Sequence, residues 1–219
     1  MRLAFPAHVH AAVVGEDLVL LDTAADAYFC VPGGAARLRP DANLSGLDPD
    51  EPEAALRLRA AGLVLSGPAR RATAPPPDLP RRGLPVEPGW SLTTREAGRL
   101  AGAVSDLPRR YACRPLRRIL SSVEAARGRG TPVAAASEAL RLASLFQAAA
   151  IWLPMPRKCL VRSFVLLRFL QRSGCRATWV FGVKTWPFGA HCWLQLDDFA
   201  LDDAPERLAA YTPILAVEG

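Results

Sequence analysis

The stretch Arg157-Lys158-Cys159-Leu160-Val161-Arg162-Ser163 follows a Leu-Pro-Met-Pro loop and runs straight into an apolar segment. A cysteine in that place begins a helix, where unpaired backbone N–H groups and the positive end of the macrodipole favour a thiolate. Arg157, Lys158 and Arg162 add positive charge around it. The chemistry open to such a sulfur is nucleophilic attack, and a thiol nucleophile needs a base. The chain has three histidines, His8, His10 and His191, and only His191 shares a half of the chain with Cys159. It stands in Gly-Ala-His-Cys-Trp-Leu-Gln-Leu-Asp. An orienting group for its ring is offered by Leu201-Asp202-Asp203-Ala204-Pro205, because an antiparallel hairpin across Asp197-Asp198 brings either carboxylate beside His191. Nucleophile, base and orienter would then come from a helix start, a strand and the adjacent strand.

Each of these residues has a plainer use. A lone cysteine is most often a small buried hydrophobe, a lone histidine a satisfied structural group, and an Asp-Asp pair a turn cap. A zinc site drawn from Cys159, His191, Asp203 and Cys192 lacks the ligand spacing of zinc motifs. Strand alternation also puts His191, Trp193 and Gln195 on one face and Cys192 and Leu194 on the other. Cys192 is therefore expected in the core, out of reach of a site built on His191, and no metal is expected. Trp179, Trp186 and Trp193 read as core and hairpin packing.

These groups need elements to hold them. Cys159 to Ser173 reads as a helix that is apolar on most sides and ends at Gly174, the residue a helix C-terminus favours. Arg176 to Lys184, Ala190 to Asp197 and a short run at Phe199 to Leu201 read as antiparallel strands. Upstream, Thr93 with Glu96 forms a capping box. Leu116, Ile119, Leu120 and Val123 repeat with helical period after Pro115, until Gly128 and Gly130. A further helix is expected from Thr131-Pro132 to about Ile151. Helices followed by an antiparallel sheet define an α+β domain over 91–219. A Pro- and Arg-rich stretch, 68–90, reads as an extended linker. Before it, residues 1–67 give strands at His8 to Val14, Asp17 to Asp22 and Ala27 to Val31, and a short helix from Glu53 to Ala61 stopped by Gly62. That is a small winged-helix-like module.

Composition narrows the rest. The chain of 219 residues is half hydrophobic and carries a formal charge of +6, so an anionic partner suits it. The basic residues are scattered and mostly arginine, with no run interleaved with aromatics, which argues against nucleic-acid binding. Five cysteines without a C-x-x-C motif do not make a secreted disulfide framework. There is no apolar signal core at the N-terminus, and the most apolar run, Leu142 to Met155, falls short of the roughly 18 residues a membrane span needs. A cytoplasmic protein without membrane insertion is the expectation.

From Cys159 to Pro205 the sequence resembles the B proteins of lasso-peptide biosynthesis, which are transglutaminase-like leader peptidases. The resemblance rests on K-C-L-V-R-S, R-S-G-C-R-A-T-W-V-F-G-V, P-F-G-A-H-C-W and L-D-D-A-P, with Cys, His and Asp in that order. It implies a papain-like cysteine protease domain with Cys159, His191 and Asp203 as catalytic residues. Asp202 stands where many relatives have Asn. The N-terminal module is similar to a RiPP recognition element, with looser motifs: a Leu-Leu-Asp strand, a Tyr-Phe strand, and Leu58, Gly62 and Leu63. This implies capture of a precursor leader at the sheet edge formed by Ala27, Tyr28, Phe29, Cys30 and Val31, with Leu56 on the other wall. The implied partners are the precursor peptide and an asparagine-synthetase-like lasso cyclase. The chain would need no cofactor of its own, and ATP would enter through that cyclase. Two other readings fit the same residues: acyl transfer to an amine, and a non-catalytic adaptor that binds leader and cyclase.

Overall fold

A computed structural model describes residues 2–67, 75–85, 91–127 and 134–219. The glycine break at Gly128 and Gly130, the helix start at Thr131-Pro132 and the linker stretches 68–74 and 86–90 lie outside the described residues.

The C-terminal half is a mixed helix and antiparallel-sheet unit. Helices α3 (Thr94–Asp106), α4 (Leu116–Arg127), α5 (Ala136–Ala149) and α6 (Cys159–Arg172) precede strands β7 (Thr178–Lys184), β8 (Gly189–Leu196) and β9 (Phe199–Ala200). A short helix α7 (Pro205–Leu208) and a last strand β10 (Thr212–Glu218) close the chain. The sheet order is β10-β7-β8-β9. Helix α3 starts on the expected box: Thr93 Oγ1 accepts from the Glu96 N–H, and the Glu96 carboxylate accepts from the Thr93 N–H at 2.8 Å. Helix α6 lies centrally. Val161, Phe164, Val165, Leu166, Leu167, Phe169 and Leu170 are all buried, each removing apolar surface worth about 1.5–3 kcal/mol from water. One face of the sheet (Trp179, Phe181, Val183, Cys192, Leu194) packs on the helices. The other (Val180, Trp193, Ala200) packs under Leu208, Tyr211 and Leu79.

Leu79 belongs to the linker, whose described part runs along β9. The Arg81 and Arg82 N–H groups donate to Asp198 O, the Ala200 N–H donates to Arg82 O, and the Arg82 guanidinium lies 4.2 Å from the centre of the Phe199 ring. Residues 78–82 thus act as an outer stave of the sheet.

The N-terminal module holds two small sheets. Strands β2 (Val9–Val14), β3 (Asp17–Asp22) and β4 (Ala27–Val31) form one, and β5 (Gly46–Leu47), β1 (Leu3–Ala4) and β6 (Leu65–Ser66) the other. Helices α1 (Gly34–Leu38) and α2 (Pro52–Ala60) complete it, with Gly62 at φ +72° just past the second. Strand β3 of the β2–β3–β4 sheet is buried on both faces. Val9, Ala11, Leu18 and Leu20 join the module's own core, while Ala12, Val19 and Leu21 join the core of the C-terminal half.

Polar contacts fix this docking. Asp26, in the turn between β3 and β4, accepts the Leu116 N–H at 2.6 Å and so caps α4 from the other module. Trp186, at the β7–β8 hairpin tip, donates its indole N–H to Asp17 at 2.7 Å, and Phe188 meets Tyr28 with ring centroids 5.9 Å apart. Trp186 is otherwise 75% exposed. It is an inter-module clasp rather than the hairpin packing expected of it.

Candidate active site

Cys159 is the first residue of α6, and no side chain caps that helix start. Its sulfur meets strand β8 where the strand has an open edge, because β9 pairs only with Gln195 and Leu196. His191 comes round that edge. Its Nε2 lies 2.5 Å from Asp203 Oδ2, which leaves Nδ1 for the hydrogen bond it makes with Cys159. The three side chains taken as nucleophile, base and orienter are thereby brought into one line. Asp203 also accepts the Ala204 N–H at 2.8 Å and has Arg207 at 3.7 Å. The imidazole sits between the rings of Trp193 and Tyr211, at 6.3 and 5.4 Å between centroids. Gly182, opposite His191 in the ladder, gives Trp193 its room: a Cβ there would stand 2.7 Å from the indole.

The electrostatics match an ion pair. Hydrogen bonds from the Cys192 thiol and from His191 hold the Cys159 thiol down at about 4, against the opposing pull of burial. A further bond from the Cys192 N–H helps. The hydrogen bond to Cys159, and then that to Asp203, raise His191 above its ordinary 6.5. A thiolate–imidazolium pair is the favoured state. The hydrogen bonds are its leading cause.

The expectation for Cys192 is corrected. Cys192 is buried and in the core, yet it lines the same cavities as Cys159 and His191. Face alternation misled because Cys159 docks against the edge of β8, where residues of either face are accessible. Gln147 Nε2 donates to Leu201 O at 2.7 Å, and Trp152 is exposed. The alternative orienter, Asp202, does not hold His191. It is buried, accepts the Ser163 O–H at 2.5 Å and the Leu194 N–H at 2.7 Å, and burial pushes its pKa up to about 6. Ser163 stands one helical turn beyond Cys159 and went unread in the sequence, although the four-residue spacing put it on the same helix face.

Cavities open on both sides of the Cys159–His191 pair. One, of about 590 Å³, is largely apolar and is shared between modules: Leu21, Asp26 and Tyr28 face Tyr111, Leu116 and Phe181 across it. The other, of about 450 Å³, is polar and lined by Arg157, Arg162, Asp202, Asp203 and Arg207. Among the residues expected to bind a peptide, Tyr28 thus stands at the reactive centre. Strand β4 hydrogen-bonds only to β3 among the described residues, so its other edge is free. Phe29 and Cys30 are exposed and Ala27 and Val31 half-buried along it. A groove between the end of β4 and α2 is lined by Val31, Leu38, Ala54, Arg57 and Leu58. Leu56, 60% exposed, lies outside it.

Among the described residues no cluster of His, Cys, Asp and Glu is arranged to hold a metal ion, and no helix is long and apolar enough to cross a membrane. Comparison with curated proteins and with solved structures gave no match. A family model for the transglutaminase-like superfamily matches residues 103–216, a span that includes Cys159, His191 and Asp203. Members of this superfamily are generally cysteine proteases or acyltransferases. With more than half its length in that match, the chain belongs to the transglutaminase-like superfamily.

Proposed function

We propose that the protein is a cysteine peptidase that removes the leader from a ribosomally made precursor peptide of the lasso class. The observation that carries this reading is the shared cavity. Tyr28, on the free-edged strand β4, lines the same space as Cys159 and His191. A peptide added to β4 as an extra strand would therefore lead into the reactive centre. The motif resemblance of Cys159 to Pro205 supplies the substrate class.

In this mechanism the Cys159 thiolate attacks the carbonyl carbon at the leader–core junction. The backbone N–H of Cys159, unpaired at the helix start, is a donor for the oxyanion. As the tetrahedral intermediate collapses, the C–N bond breaks and His191 gives its Nδ1 proton to the leaving core amine. The leader remains as a thioester on Cys159. Neutral His191 then takes a proton from water, the hydroxide adds to the thioester carbonyl, and the leader leaves as a carboxylic acid. Asp203 holds the imidazole throughout. The freed core amine passes to a partner cyclase that activates a side-chain carboxylate with ATP; this chain itself requires no cofactor in the scheme.

The test is incubation of wild type and Cys159→Ala with the precursor peptide encoded beside this chain, followed by mass. Loss of the leader with wild type alone is expected. If neither protein cleaves it, even with the cyclase and ATP present, the peptidase reading fails. If both support full processing, the non-catalytic adaptor replaces it.

A further inference from the structure

The polar cavity beside Cys159 holds more cations than the triad chemistry uses. Arg157 lines it from the loop before α6, Arg162 from the first turn of α6, and Arg207 from α7. Two carboxylates share the space, and both are already engaged. Asp203 binds His191 and the Ala204 N–H, with Arg207 at 3.7 Å. Asp202 accepts the Ser163 O–H and the Leu194 N–H. Arg157 and Arg162 are left over. Among the described residues neither forms an ion pair, and the Arg162 Nε is buried without a hydrogen-bond partner. Burial raises the Asp202 pKa and the nearby Arg162 cation pulls against that, so Asp202 answers part of the field of Arg162 but none of its N–H groups. A buried donor left unpaired is costly, and one that lines a cavity calls for a partner that arrives there.

We propose that Arg157 and Arg162 form a carboxylate subsite of the peptidase, which takes an acidic side chain of the substrate on the core side of the cleaved bond. The inference rests on Cys159 as the nucleophile and on a peptide as the substrate.

The ligand class follows from the donors. The side-on fork of a guanidinium, Nε with one Nη, meets both oxygens of a carboxylate, and Nε is the donor that Arg162 has unspent. The cavity also stays cationic through the reaction. The charges of a thiolate–imidazolium pair cancel, and acylation of Cys159 removes both. In either state three arginines face two carboxylates. The side of the bond follows from the two cavities. A leader paired to β4 comes through the apolar cavity that Tyr28 lines. The chain beyond the cleaved bond then continues into the polar cavity, on the far side of the Cys159–His191 pair.

The first experiment needs no peptide. Cys159 in the full chain is alkylated with iodoacetate and, separately, with iodoacetamide, and peptide mass mapping resolves all five cysteines. Both reagents meet the same sulfur in the same displacement of iodide, so the ratio of their rates cancels any change in thiolate content and reports the attraction of a carboxylate. In wild type the ratio at Cys159 should exceed that at the exposed Cys30 and Cys113 by about tenfold, the low end of what a cleft lined by one sign of charge achieves. Arg162→Gln and Arg157→Gln should each lower it severalfold, and Arg162→Lys should keep most of it. A ratio no higher at Cys159 than at the exposed cysteines, or one that neither glutamine variant moves, overturns the proposal. Thermal melting is the folding control; if Arg162→Gln does not fold, Arg157→Gln decides, since Arg157 is exposed. If wild-type Cys159 reacts with iodoacetamide at about pH 5, far below an ordinary thiol pKa, no faster than Cys30 and Cys113, the nucleophile reading itself fails.

The second experiment separates the two sources of a carboxylate, a substrate side chain and the new end of the departing leader. In the precursor encoded beside this chain, acids among the first few core residues are replaced by their amides. For wild type this should raise KM severalfold with kcat little changed, and for Arg162→Gln it should change KM little. A precursor with no acid there, or a KM that the replacement leaves unmoved, overturns the proposal and assigns the arginines to the leader carboxylate.

Discussion

Asp203 can be tested without any substrate. Its carboxylate meets His191 Nε2 at 2.5 Å, with the aspartate side chain 13% exposed, so solvent screens the bond little. A hydrogen bond to a charged group is worth about 1.5–3 kcal/mol. At 1.36 kcal/mol per unit, Asp203→Ala should lower the His191 pKa by roughly 1–2 units. Asp203→Asn keeps an acceptor but loses the charge-assisted part, about half the energy, so roughly 0.5–1 unit should go. The hydrogen bond to Cys159 remains and keeps part of the upward shift. Ring-proton NMR reads this directly, since the chain has only three histidines. The His191 midpoint should move down in the order wild type, Asp203→Asn, Asp203→Ala, while His8 and His10 stay in place. Asp202→Asn, which does not touch His191, should leave it nearly unmoved. The sign for stability follows. His191 has a folded pKa raised above 6.5, so its contribution is complete below about pH 6.5 and lost as pH rises through the folded value. The stability gap between wild type and Asp203→Ala should accordingly shrink in alkali. A His191 midpoint displaced by less than about 0.3 unit in a folded Asp203→Ala protein would refute the orienting role, since that is far below the bond energy.

Two further variants probe the scaffold. Asp106 binds Arg168 at 2.9 Å and Arg172 at 3.1 Å; burial pulls its pKa up, and the two guanidiniums outweigh that, leaving it below the ordinary value. Arg168 sits in the middle of α6, its side chain 8% exposed. Asp106→Ala would strand that cation and should cost about 3–5 kcal/mol, seen in calorimetry as a fall in Tm of roughly 6–15 °C. Gly182→Ala should cost about 1–3 kcal/mol by overpacking, because its Cβ would meet the fully buried Trp193 at 2.7 Å and Tyr211 at 3.0 Å. Denaturant titration reads the loss, and His191, packed against those two rings, should show a displaced ring resonance in the same protein.

The grouping of Cys159, His191 and Asp203 was legible because each is marked by local chemistry: a helix start, a lone histidine and an acidic turn. Helix α6 declared itself by an apolar run closed by Gly174, and α3 by its capping box. What the pattern hid was tertiary. The place of Cys192 beside Cys159 and His191 depends on which edge of β8 is left open, and a period-two reading assigns faces, not edges. Strand β10 was hidden by Pro213, which is tolerated because β10 is an edge strand with its register shifted between Pro213 and Leu215. The capping of α4 by Asp26 joins residues 90 positions apart; nothing near Pro115 signals that its cap comes from another module.

Strand β3 carries apolar side chains in both directions: Leu18 and Leu20 one way, Val19 and Leu21 the other. Polarity therefore cannot tell its correct pairing from one slipped by a single residue. A slip would only exchange leucine for valine or leucine in each core. The discriminating information must come from the short turn at Gly15-Glu16, where Gly15 has φ +60°, and from the two ends of the strand, Asp17 and Asp22. Asp17 accepts the Gly33 N–H at 2.9 Å and the Trp186 indole, and Asp22 accepts the N–H groups of Ala24 and Ala25. Two buried carboxylates thus act as alignment pins for a strand whose own side chains are indifferent to register, and one of the pins is also held by the opposite module.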